Sequence, residues 1–276
     1  MCGIFGISQS NSESNNFDNI LKDIEIYVDT SQKRGSDTFG LSFKLDNEII
    51  LFKANEKPSE SIKKKNYKEF LNKFLKNKLN KNLIVIGQTR LVTNGSKFSY
   101  SNNQPLETKN IVGVHNGIFA NLEEENFEKT KNYESYDVKS DSLIFYENIS
   151  KFLNDKNFIK IFFEYLKNVI GNFSIAFHLL NENKIFISSN NGSLFYYFDE
   201  DIFTFASEKK FILDYLRKSN LFKKKNVDPA KIKRCLRTIV IFDLNKKILK
   251  EIDLTKNFKD PNIEMDFKKK LILKII

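Results

Sequence analysis

The chain has 276 residues, 41% of them hydrophobic and 27 of them phenylalanine, which is enough to fill the core of one large domain and excludes disorder throughout. Forty-five basic and 35 acidic residues leave a net charge of +10, but basic runs such as Lys63, Lys64, Lys65 and Lys223, Lys224, Lys225 are dispersed and accompany no nucleic-acid-binding motif, so a solvated face or an acidic protein partner is expected rather than a specific nucleic acid. Two cysteines and two histidines make neither a disulfide framework nor a recognisable zinc site, no apolar run reaches the roughly 20 residues of a membrane span, and the start MCGIFGI carries no secretory pattern, so a reducing, cytoplasmic setting is expected.

In chain order, residues 3–8 read as a short buried strand. Ile20, Leu21, Ile24, Tyr27 and Val28 recur at helical spacing and predict one buried helix face. Arg34-Gly35-Ser36-Asp37 breaks that helix before strands at 41–45 and 48–53, joined at Asp46-Asn47. A Lys-rich helix over 61–76 follows, with Phe70, Leu71, Phe74 and Leu75 as its inner stripe. Strands at 83–89 and 111–115 flank a polar loop containing Asn102, Asn103, Gln104 and Pro105. Asp141 opens a helical region with Leu143, Ile144, Tyr146 and Ile149, and a second helix covers 158–169.

The pattern then changes to consecutive strands at 173–180, 184–189, 194–198 and 202–206. Ser207 is placed to cap a helix starting near Glu208, and 238–242 with 248–252 form a final hairpin. After about Leu254 the pattern is weak, and its terminal apolar run is left either to dock on the core or to meet another subunit. Helices bracketed by antiparallel strands point to packed sheets flanked by helices. No Gly-x-Gly-x-x-Gly follows the first strand and there is no Walker motif, so neither a Rossmann fold nor a nucleotide cofactor is expected.

Cys2 is the residue with the sharpest chemical implication, although a lone cysteine is ordinarily a small buried hydrophobe. Removal of Met1 would place a free α-amine, of pKa about 7.7 to 8.0, beside the thiol. That amine can take the thiol proton and serve as the general base that a histidine supplies in other thiol enzymes. His178, in the apolar strand FSIAFHLL, reads as structural, and His115 as orienting a turn at Asn116-Gly117 rather than as a base.

The MCGIFGI start, RGSDTFG at 34–40, GQTRLVTNG at 87–95, HNG at 115–117 and SDS at 140–142 together resemble the class II glutamine amidotransferase domain of the amino-terminal-nucleophile hydrolases. The similarity covers roughly residues 2–210, with the glutaminase domain of glucosamine-6-phosphate synthase as the nearest pattern. The resemblance implies an α+β, four-layer αββα fold with two packed antiparallel sheets and the nucleophile at the start of a central strand. It implies Cys2 as nucleophile, Asn116 and the Gly117 N–H as oxyanion hole, Arg90 on the α-carboxylate of glutamine, Asp141 on its α-ammonium and Thr93 as a further substrate contact. Arg34 and Gly35 would support the terminal amine and pocket, with His115 beside them.

Aligned donors stabilise a tetrahedral oxyanion more than the neutral amide, and arginine's planar fork matches a carboxylate. Plainer readings stand beside these roles: Arg90 as an ordinary surface or ion-pair residue, Asp141 as a helix cap, Asn116-Gly117 as a turn. Gln88, Leu91 and Asn94 stand where the resembled motif GHTRWATHG has His, Trp and His, so sugar-phosphate specificity is not carried over.

Residues 2–210 are expected to form the amidotransferase core, with 211–276 as an extension completing the domain or contacting a partner. That extension is too short for an acceptor-activating domain, which leaves either a separately encoded acceptor or a longer chain of which these residues are a part. The expected function is a glutaminase supplying ammonia to a separately encoded synthetase or transferase, without cofactor or metal. A stand-alone amidase for another small amide and a catalytically silent scaffold are the alternatives.

Overall fold

Period-two alternation builds the two sheets, and the helices follow the apolar stripes that remain. In the computed structural model the described residues are 2–10, 17–75, 81–91, 103–122, 140–199, 202–221, 227–259 and 272–273. The chain runs β1 (Gly3–Gln9), α1 (Phe17–Ser31), β2 (Thr38–Leu45), β3 (Glu48–Ala54), α2 (Pro58–Ser61), α3 (Lys65–Leu75), β4 (Leu83–Arg90), β5 (Leu106–Glu107), β6 (Ile111–Phe119), α4 (Asp141–Phe152) and α5 (Phe158–Asn168). It continues through β7 (Gly171–Leu179), β8 (Lys184–Ser189), β9 (Phe195–Asp199), β10 (Ile202–Ala206), α6 (Lys209–Lys218), β11 (Lys233–Arg234), β12 (Thr238–Asp243), β13 (Ile248–Asp253) and β14 (Ile272–Leu273).

One sheet has the order β11-β9-β10-β1-β4-β2-β3-β14 and the other β13-β12-β8-β7-β6-β5. Pairing is antiparallel except where β14 lies parallel to β3. Alternation decides which side each residue serves. In β1, Phe5 and Ile7 pack with α1 and α6 while Ile4 packs between the sheets; in β4, Leu83 and Val85 take the helical side and Ile84 and Ile86 the inner one. Tyr27 of α1 stacks on Phe5 at 5.2 Å and on Tyr215 of α6 at 4.6 Å. Each large side chain buried in this way contributes about 1.5 to 3 kcal/mol. Helices α4 and α5 cover the second sheet's outer face with Phe145, Ile149, Phe158 and Phe162. The layers are therefore helix, sheet, sheet, helix, as expected.

Several elements differ from their sequence reading. The Lys-rich helix is two pieces, α2 and α3, interrupted at 62–64. Ser207 does not cap α6: its Oγ accepts from Ile4 N at 2.9 Å, and Glu208 occupies the cap position without a side-chain capping bond. The strand at 111 does not end at His115. It runs to Phe119 because β7 pairs with it residue for residue down to Gly171, so Asn116-Gly117 is strand and not turn. Strands β12 and β13 extend the second sheet beside β8, and Ile272 and Leu273 of the terminal apolar run pair with β3.

His178 is structural. Its Nε2 lies 2.8 Å from Ser42 Oγ on the facing sheet, and burial, aided by the charge of Lys44, pushes its pKa down to about 3. Unfolding returns the group to about 6.5, so the unfolded chain binds the extra proton between those values. The stabilising contribution is fully present above about pH 6.5 and is lost as pH falls, at up to about 1.4 kcal/mol per unit. Urea denaturation between pH 7 and 4 is expected to show this slope, reduced in His178→Asn.

Candidate active site

Cys2 stands directly before β1, which lies between β10 and β4 in the first sheet. Its nitrogen donates to Asn116 Oδ1 at 3.2 Å across the gap between sheets, and Arg34 Nε donates to its carbonyl at 3.0 Å. Arg34 is held in turn by an ion pair with Glu208 at 3.0 Å. Gly35 packs so closely on β4 that a Cβ there would stand 2.4 Å from Leu91 N, and Asp37 N donates to Arg90 O at 2.9 Å. The RGSD segment thus lies against the end of β4 and fixes the main chain of Cys2.

The half-buried Cys2 Sγ lies 4.0 Å from Leu91 O. Burial raises the thiol pKa above its ordinary value, opposed by the Leu91 contact and the Arg90 and Arg34 charges. A thiol held protonated needs a nearby base before it can attack. His115 is a poor one: burial lowers its pKa to about 4, against the pull of Asp141. Its Nδ1 lies 2.7 Å from Ser142 Oγ and its ring stacks on Phe119 at 4.0 Å. The other cysteine, Cys235, is buried with its thiol pushed up to about 12.

The β6 backbone carries the most informative geometry. Phe173 N and O are engaged by Asn190 rather than by Gly117 opposite, so Gly117 turns its N–H away from β7. The same outward side is used at every second residue. Gly113 pairs with Leu106 of β5, His115 N donates to Gln104 Oε1, and Phe119 N donates to Asp141 Oδ2 at 2.9 Å. Among the described residues no group is bonded to the Gly117 N–H, and Gly117 itself is exposed. Gly117 has φ +147°, and a Cβ there would stand 1.8 Å from Asn172 O, so only glycine fits. With Asn116 Oδ1 engaged by Cys2, the donor end of that amide remains for a ligand.

Arg90 ends β4 and donates from Nη1 to Asn103 Oδ1 at 3.0 Å, and Asn103 Nδ2 donates to Asn55 Oδ1 at 2.6 Å. Asp141 is not the α4 cap: Ser140 is, accepting from Leu143 N. Asp141 Oδ1 accepts from Ser142 N at 2.7 Å and Ser142 Oγ at 3.1 Å, and Oδ2 from Phe119 N. A carboxylate offers about four acceptor positions, which leaves roughly one, on Oδ2, for a cation.

The fold brings Cys2, Asn116 and Gly117 together, with Arg34 and Gly35 behind Cys2 and Asp141 bonded to β6. Thr93 and Asn94 lie outside the described residues. Sequence reasoning passed over Gln104, Asn103 and Ser142 as partners of these residues. The polar cluster 102–105 was the visible signal for the first two.

This architecture is the amino-terminal-nucleophile hydrolase fold. Residues 88–214 match the family model described as a glutamine amidotransferase domain. Among solved structures, the chain is similar to glutamine phosphoribosylpyrophosphate amidotransferase from B. subtilis complexed with ADP and GMP, at 14% identity and a TM-score of 0.64, over 93% of this chain and 50% of that one. It is also similar to a structure described as the allosteric regulatory enzyme of purine biosynthesis, at 17% identity and a TM-score of 0.63, over 93% of this chain and 50% of that one. The chain spans about half the length of both. No curated protein sequence matches it. The family match over residues 88–214 and the structural likeness agree on the resemblance to a glutamine amidotransferase domain, and the likeness to the solved structures carries the fold. No helix among the described residues is long and apolar enough to cross a membrane.

Proposed function

We propose that the domain hydrolyses the side-chain amide of glutamine through a Cys2 thioester and supplies the ammonia to a separately encoded acceptor enzyme. The observation that carries this reading is the outward Gly117 N–H on β6, left open among the described residues beside Asn116 and Cys2. After removal of Met1, the α-amine of Cys2 takes the thiol proton, and Sγ attacks the glutamine Cδ carbonyl. The resulting oxyanion is held by the Gly117 N–H and Asn116 Nδ2, donors fixed in place before the charge develops. The amine returns its proton to the leaving nitrogen, ammonia departs, and a γ-glutamyl thioester remains. Water, deprotonated by the same amine, releases glutamate and restores the thiol.

Arg90 takes the α-carboxylate and Asp141 the α-ammonium, which selects the free amino acid over an amide inside a peptide. Within residues 211–259, most of α6 and the strands β11, β12 and β13 belong to the two sheets and their helical layer.

Purified protein is expected to release glutamate and ammonia from glutamine. Intact-mass analysis after treatment with a diazo-ketone glutamine analogue should show loss of Met1 and one adduct, mapped to Cys2. No turnover, alone or with the natural acceptor, would refute the donor reading. Arg90→Lys is expected to raise KM for glutamine by roughly 10- to 100-fold with a smaller change in kcat, because lysine retains charge but loses the two-pronged geometry. An unchanged KM would remove Arg90 from the carboxylate site.

A further inference from the structure

The geometry points to Gln88 and Gln104 as a pair of positioning residues that set the oxyanion strand at the height of the nucleophile, an inference that rests on the glutaminase reading above. Gln88 lies on β4 beside Ile4 of β1 and is buried between the sheets. Its Nε2 donates to His115 O at 2.7 Å and to Gln104 Oε1 at 2.9 Å, and Gln104 Oε1 also accepts from His115 N. The result is a closed ring of three residues around the peptide groups that precede Asn116.

The amide orientations follow from the neighbours. His115 O can only accept and His115 N can only donate, so Gln104 presents oxygen to the strand and Gln88 presents nitrogen to both. Strand β5 pairs with β6 only at Leu106–Gly113 and Glu107–Val112. At His115, two residues beyond, the side chain of Gln104 takes over the place of a strand neighbour. Gly40, next to Gln88 on β2, makes room for it: a Cβ there would stand 2.0 Å from Gln104 O. The closing glycine of RGSDTFG and the glutamine of GQTR thereby serve one construction. Gln88 Oε1 is buried with no hydrogen-bond partner among the described residues, a local cost of the kind found where geometry serves a site.

The ring matters because the bond from Cys2 N to Asn116 Oδ1 crosses the same gap between sheets one residue further on. If β6 drifts, that bond and the Gly117 N–H move together relative to Sγ. Displacements of about 1 Å can cost on the order of 100-fold in rate. Both Gln88 Nε2 hydrogens are used within the ring, so Gln88 acts through His115 and Asn116 and makes no contact with substrate.

One substitution made at two positions tests this, because Gln104 uses only its oxygen and Gln88 only its nitrogen. In the mature full-length protein, Gln104→Glu keeps the acceptor and is expected to retain kcat within about threefold. Gln88→Glu puts a carboxylate against two acceptors and is expected to lower kcat for glutamine by roughly 10- to 100-fold. KM and the rate of Cys2 alkylation by iodoacetamide, which needs no oxyanion hole, should stay within about twofold. Amide hydrogen exchange at His115 should be slow in wild type and Gln104→Glu and fast in Gln88→Glu, and it reads the ring without requiring activity. Equal kcat at both positions, whether kept or lost, would overturn the proposal. So would a loss in Gln88→Glu shared by KM, alkylation and thermal midpoint, which marks a merely structural role. A wild-type protein inert towards glutamine refutes the donor reading instead, while slow exchange in Gln88→Glu refutes the ring alone.

Discussion

Cys2→Ala is expected to lower glutamine hydrolysis by ~10⁴-fold or more, to background, with the fold intact. Alanine isolates the thiol. It is small enough for Met1 still to be removed, so the α-amine and its bond to Asn116 are retained. Among the described residues the Sγ's hydrogen-bond contact is a long one, 4.0 Å to Leu91 O, and Cys2 is half-buried, so losing the thiol should cost about 1 kcal/mol of stability or less. Steady-state ammonia release, read beside a thermal unfolding curve, separates chemistry from folding. The diazo-ketone adduct should vanish from position 2 without reappearing at Cys235, whose buried thiol is pushed up to about 12 and stays unreactive at neutral pH. A variant that hydrolyses glutamine at the wild-type rate removes Cys2 from the mechanism and, with it, the role given to the α-amine.

What could be read in the sequence depended on how local its cause was. The strands β1, β8 and β10 announce themselves as short, largely apolar runs, buried at every position, and the helix α1 by its apolar stripe, because each signal is complete within one segment. Strand β6 could not be read past His115, because Asn-Gly favours a turn and what overrides it is pairing with residues 171–175 of β7. The two-residue strands β5, β11 and β14 carry no period to detect. Ser207 has the right identity for a helix cap, but the nearer demand is the Ile4 N–H beside it.

The site divides in the same way. Cys2 and the ordered motifs were visible as residue types, and the resemblance named their roles. Their assembly was not visible, because Cys2 and Asn116 meet across 114 residues of chain. Gln88 illustrates the limit. In the sequence it is a departure from the resembled motif. In the fold it reaches His115 through the inter-sheet gap, a role that depends on Gln104 and Gly40, which lie far from it in the sequence.

Asn116→Asp is expected to lower kcat by ~10³-fold or more while changing KM little. The substitution preserves shape and keeps an oxygen facing the Cys2 nitrogen, where Oδ1 now accepts at 3.2 Å. It removes the Nδ2 donor from the proposed oxyanion hole, a loss worth roughly 3 to 4 kcal/mol in the transition state. It also places negative charge beside the developing oxyanion, which deepens the penalty beyond that of Asn116→Ala. The charge acts on the terminal amine too. A carboxylate stabilises the ammonium form and raises the amine pKa above its ordinary range of about 7.7 to 8.0, leaving less free base at neutral pH. The acid limb of the kcat profile should therefore move to higher pH in Asn116→Asp and stay in place in Asn116→Ala. His115 cannot produce that limb, because its pKa is lowered to about 4 by burial. Rates measured from pH 5.5 to 9.5 in the three proteins decide the matter: a limb unmoved in Asn116→Asp would mean that the base is not the amine that Asn116 holds.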